Sequence, residues 1–85
     1  MNSDKKSISS SQCRAARALL NWSREELAAA SKVSRAAIAD FETDKRIVRE
    51  RTTDDLRSAL EGAGVEFIPA NGGGPGVRLR ESRDV

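Results

Sequence analysis

At 85 residues the chain fits one small domain, which buries only about 60% of the surface its unfolded form exposes, so stability is thin and a second copy would help. Hydrophobic residues make up 38% and charged residues 33%, with no histidine, one cysteine (Cys13) and only Trp22, Phe41 and Phe67 as aromatics. That excludes histidine acid/base chemistry, zinc-ligand clusters and an intramolecular disulfide, and rests the core on Leu, Ile, Val and Ala. No segment approaches the roughly 20 apolar residues of a membrane span, and no apolar signal segment opens the chain. The expectation is a cytoplasmic protein without membrane, metal or cofactor.

Residues 1–10 are polar and serine-rich, with Ile8 the one large apolar residue after the initiator methionine, and read as a disordered tail. From Ser11 to about Leu20, Cys13, Ala16, Leu19 and Leu20 recur at helical spacing, with Arg14 and Arg17 between them. Cys13 falls on the apolar face and reads as a packing residue. Asn21 and Trp22 break the pattern, with Trp22 read as a cap on the core. Ser23-Arg24-Glu25-Glu26 then has the S-x-x-E form in which serine and glutamate satisfy each other's free N–H groups, so a second helix starts at Arg24 and runs to about Ala30. After Ser31-Lys32-Val33, Ser34 caps a third helix reaching Glu42, with Ile38 and Phe41 on one face. Two short helices so closely joined form a helix-turn-helix pattern.

Thr43 to Arg51 is an irregular connector with four positive residues against two negative ones, a local excess hidden by the net charge of +2. Thr52 or Thr53 is read as the cap of a fourth helix, lined by Leu56, Ala59 and Leu60 and ended by Gly62 and Gly64. Val65 to Ile68 and Val77 to Arg80 alternate apolar and polar residues around a glycine-rich stretch, which reads as a β-hairpin with a long loop. That loop lacks the lysine and hydroxyl residue of a phosphate-binding loop. The fold class expected is therefore mainly α: a four-helix domain over 11–64, a hairpin over 65–80 and a frayed tail over 81–85.

The segment Arg17 to Lys45 resembles the Cro and phage-repressor (XRE-like) helix-turn-helix family without a gap. The resemblance rests on Arg17, Trp22-Ser23, Glu26-Leu27-Ala28, Val33-Ser34, Ile38 and Phe41-Glu42. It implies that Ala28 lets helices two and three approach and that Leu27 and Ile38 bury against helix four. It also implies a semi-buried structural ion pair between Arg17 and Glu42. The third helix would enter the major groove of double-stranded DNA, presenting Ser34, Arg35, Ala36, Ala37 and Asp40 to the bases. Arg35 is the strongest of these, because a guanidinium donates two hydrogen bonds to guanine O6 and N7, worth about 1–3 kcal/mol of discrimination. Asp40 reads either as an acceptor for cytosine or as a charge that orients Arg35. Phosphate contacts would come from Ser23 and Arg24 at the start of helix two, from Lys45, Arg46 and Arg49, and from Arg14. Arg24 stands where the family usually has glutamine, and Lys32 and Asp44 stand where it often has glycine.

Two isolated strands are marginal in water. The hairpin therefore either joins two copies through Val65, Phe67, Ile68, Val77 and Leu79, or folds back on helices one and four. The leading functional reading is a dimeric DNA-binding transcriptional regulator, more often a repressor, acting on a palindromic operator. Helices and hairpin use the whole chain, so no small-molecule pocket is expected. The alternative is an interaction module holding another regulatory protein, such as an antiactivator or antitoxin-like adaptor. An enzyme is disfavoured, because no nucleophile has a base beside it.

Overall fold

The computed structural model describes residues 7–81. In chain order these form α1 (Ser10–Leu20), α2 (Arg24–Ser31), α3 (Arg35–Glu42), α4 (Glu50–Gly62), β1 (Val65–Ile68) and β2 (Gly76–Leu79). The mainly helical fold with a C-terminal antiparallel hairpin is the one the sequence indicates. The expected tail splits at residue 7: residues 1–6 and 82–85 lie outside the described residues, whereas Ile8 is buried and belongs to the core.

The start of α1 explains that difference. Ser9 Oγ accepts from the N–H of Gln12 at 3.0 Å, and Gln12 Oε1 accepts from the N–H of Ser9 at 2.9 Å. This reciprocal cap fixes the chain just after Ile8 and begins the helix at Ser10, one residue earlier than the periodicity suggested. Ser23 and Glu26 make the same arrangement at α2, as expected, and Ser34 Oγ accepts from the N–H of Ala37 at α3. α4 departs from expectation. It starts after Arg49 rather than at Thr52 or Thr53, with Glu50 in its first turn, and Thr53 is a buried residue whose hydroxyl donates to the carbonyl of Glu50.

Three helix ends require left-handed backbone at residues other than glycine. Asn21 (φ 58°), Lys32 (φ 66°) and Asp44 (φ 57°) follow α1, α2 and α3 respectively. At α1 the N–H of Trp22 donates to the carbonyl of Arg17 and that of Asn21 to Ala18; at α3 the N–H of Lys45 donates to Asp40 and that of Asp44 to Phe41. These paired bonds satisfy carbonyls that a helix end would leave free. Lys32 and Asp44 thus adopt the conformation for which glycine is usual, at about 1–2 kcal/mol each.

Cys13, Ala16, Leu27, Ile38, Leu56, Leu60 and Val65 are fully buried, joined by Ile8 and Phe67. Trp22, Ala28 and Phe41 pack at the edge of this core, whereas Leu19, expected on the apolar face of α1, is exposed. α3 packs on α1 and α2, and α4 packs on α2, α1 and β1. Helix three therefore sits mainly on its two predecessors rather than on helix four.

The hairpin folds back on the helices, the second of the two dispositions the sequence left open. β1 and β2 pair antiparallel with Val65 opposite Leu79 and Phe67 opposite Val77, so β2 lies one residue earlier than expected. Val65 and Phe67 are spent in the chain's own core, and Ile68, Val77 and Leu79 are half-buried. Gln12, itself buried, donates from Nε2 to the carbonyls of Gly76 (3.0 Å) and Ile68 (3.4 Å), tying α1 to the loop end of the hairpin. Arg80 Nη1 donates to the carbonyl of Glu61, and the Arg57 guanidinium lies 5.5 Å from the centre of the Phe67 ring.

Candidate nucleic-acid interface

α2, the Lys32-Val33 turn and α3 are joined as one unit by their packing and by Ser31, whose Oγ accepts from the N–H of Val33 at 3.1 Å. α3 turns Ile38 and Glu42 inward. Of the expected reading residues, Ser34, Arg35 and Ala36 are exposed, while Ala37 and Asp40 are half-buried.

Glu42 anchors this unit. Its carboxylate is fully buried and accepts from Arg17 Nε (2.8 Å), Arg17 Nη2 (2.7 Å) and Arg24 Nε (2.9 Å). Arg17 Nη1 also donates to the carbonyl of Trp22, and Arg14 Nη1 donates to the main-chain carbonyl of Glu42, capping the C-terminus of α3 with a cation. Burial opposes ionisation of Glu42, but the hydrogen bonds from Arg17 and Arg24 outweigh it and hold its carboxyl below the ordinary value. Its bond to the same carboxylate is the first reason that the Arg17 guanidinium holds its proton more tightly. The Cys13 thiol is pushed far up by burial and then by its hydrogen bond to Glu42, so it stays protonated and inert.

These bonds redistribute the expected phosphate contacts. Arg14 is engaged at both ends, with Nη2 donating to Ser11 Oγ. Arg24 is turned toward Glu42 by its Nε, and its side chain is mostly covered. The N–H of Ser23 is taken by Glu26 Oε1 at 2.7 Å, so it is not open to a phosphate oxygen. Lys45, Arg46 and Arg49 are exposed beyond α3, as the connector's composition suggested. Asp40 accepts from Arg46 Nε at 2.9 Å. Asp40 thus pairs with Arg46 through Oδ2 and is not the partner of Arg35. Glu25 is that partner: its Oε2 accepts from Arg35 Nε at 2.5 Å. Sequence reading missed Glu25 because ten residues separate the pair and no periodic pattern links them.

A helix-turn-helix family model matches residues 14–61. The chain belongs to that helix-turn-helix family, of Cro and repressor type. No curated protein matches the chain. The family is one of DNA-binding regulators rather than enzymes. In this helix-turn-helix protein α3 is the second helix of the motif, and the matched span ends before the hairpin, which is an addition to the motif.

Among the described residues no group of acidic or cysteine side chains has the arrangement of a metal site, and no helix is long and apolar enough to cross a membrane. Two open surface grooves, of about 530 and 640 Å³, do occur where the sequence reading expected no pocket. Both are walled by Ser7 and Ile8, the residues assigned to a free tail, which explains why length alone did not reveal them.

Proposed function

We propose that this protein is a sequence-specific transcriptional regulator that lays α3 in the major groove of double-stranded DNA. The observation that carries this reading is the exposure of Ser34, Arg35 and Ala36 at the N-terminal end of α3, on a helix whose inner face is anchored through Ile38 and Glu42. An α-helix fits the major groove, and its N-terminal residues reach the base edges first. Arg35 reads guanine through its two terminal nitrogens, while Ala36 and Ala37 meet thymine methyl groups. Ser34 still has its hydroxyl proton to donate, since the oxygen only accepts within the cap. Lys45, Arg46 and Arg49 contact phosphates beyond the helix, and the outer guanidinium nitrogens of Arg24 approach the backbone from the start of α2.

The protein acts as a homodimer on a palindromic operator, as a cytoplasmic repressor. A two-stranded sheet has an unpaired edge on each strand, and such edges favour pairing with a second copy. Half-site energies then add across the twofold axis. The partner-binding alternative is favoured by Ile47, a large apolar residue that is 96% exposed within the basic connector.

Titration of duplex DNA at increasing salt separates the readings. DNA binding loses affinity with a log–log slope of about −0.9 per phosphate neutralised. Absence of duplex binding at low salt would instead support the partner-binding reading. Sedimentation at DNA-binding concentrations tests the dimer, which a purely monomeric species with and without DNA would refute.

A further inference from the structure

Arg35 and Arg46, outside the Glu42 cluster, are held in the same way: a carboxylate takes the Nε proton while more than half of each arginine side chain stays exposed. Glu25 holds Arg35 and Asp40 holds Arg46, and among the described residues no partner engages Nη1 or Nη2 of either arginine. The pairs differ in position. Arg46 lies in the connector beyond α3, whereas Arg35 is the first residue of α3 and Glu25 reaches it from α2, across the turn.

We infer that Glu25 is a positioning residue for sequence recognition: it fixes Arg35 with its outer Nη1/Nη2 edge presented to a guanine, and penalises every sequence lacking that guanine. This inference rests on the DNA-binding reading. Two effects follow from the geometry. An exposed arginine samples many rotamers, and immobilising it before binding removes an entropic loss that would otherwise accompany recognition. The carboxylate also stands at the first turn of α2, the side from which the phosphate backbone is approached, and repels it. Where Arg35 meets guanine, that repulsion is offset; elsewhere it is not. Glu25 thus lowers affinity for most sequences while raising the preference for one, which is how specificity arises from a repulsive element. Asp40 supplies the contrast. Its arginine faces the sugar-phosphate side in the proposed complex, so releasing Arg46 strengthens binding without changing which sequence is chosen.

The test begins with selection of duplexes from a random pool by the wild type and by Arg35→Ala, which identifies the base pair that Arg35 reads. Affinities are then measured for the selected duplex and for duplexes changed at that pair, using wild type, Glu25→Gln, Asp40→Asn and Glu25→Gln combined with Arg35→Ala. Glu25 is exposed, and an unchanged melting curve for Glu25→Gln establishes that the fold is intact. The expected result is a 2- to 10-fold lower discrimination ratio for Glu25→Gln, roughly the worth of immobilising one long side chain, together with tighter binding to mismatched duplexes. In the Arg35→Ala background the Glu25 substitution should leave the ratio unchanged, and Asp40→Asn should strengthen all duplexes alike. A wild-type ratio in Glu25→Gln would overturn the inference while leaving the regulator reading standing. A wild type that enriches no sequence would overturn both.

Discussion

The molecule joins carboxylates to arginines in two settings. At Glu42 three arginines converge on one residue whose carboxylate is sealed from water, while at the α3 surface Glu25 and Asp40 each hold one arginine in the open. The bond lengths are similar and the consequences are not. A buried ion that loses its partner cannot recruit water, so removal is expensive; either member of an exposed pair is solvated once freed, so the pair adds little to stability. The buried cluster therefore fixes where α3 lies, and the exposed pairs govern what its outer side can engage.

The sharpest way to break this contrast is at its buried end. Arg17→Ala is expected to destabilise the fold by about 3–5 kcal/mol, a large share of a small domain's stability, measured by denaturant unfolding. The pH dependence has a definite sign. Because the folded Glu42 carboxyl lies below its ordinary value, its contribution is fully present above the unfolded value near 4.3, and is lost progressively as pH falls below it. Glu42→Gln should flatten that part of the stability profile, and an unchanged acid limb would show that other carboxylates dominate it. At the exposed end, Arg35→Ala should leave melting unaltered but reduce discrimination at one base pair by roughly 5- to 150-fold, read from binding to matched and mismatched duplexes.

Two smaller changes sharpen the comparison. Lys32→Gly relieves the left-handed backbone of the turn between α2 and α3, with an expected gain of up to about 1 kcal/mol by thermal unfolding. Asp40→Asn removes an exposed pair and should alter stability by less than about 1 kcal/mol.

Much of this was legible in the sequence, for identifiable reasons. Ser23 with Glu26, and Ser34, announced two helix starts because capping is local and its residues stand three apart. The Arg17–Glu42 pair, 25 residues apart, followed only from the family resemblance, as no periodicity connects its members. The same S-x-x-Q signal at Ser9 to Gln12 was available and would have placed Ile8 against the body rather than in a tail. Helix four was displaced because Thr52 and Thr53 are good capping types, yet Thr53 turns inward and bonds back to Glu50, while Arg49 begins the helix with no side-chain cap. The long-range contacts were invisible to pattern. Gln12 reaching the hairpin carbonyls, Glu25 reaching Arg35 and Asp40 reaching Arg46 all arise from tertiary packing, and alternation in β1 revealed an apolar face without revealing what covers it.

The most direct measurement is residue-by-residue mapping of backbone amide shifts while duplex DNA is added to the labelled full chain. Perturbations concentrated at Ser34 to Ala37, with a second group at Lys45 to Arg49, are expected if the outer side of α3 lies on the base pairs. Shifts confined to β2 or α4, with α3 unmoved, would contradict it.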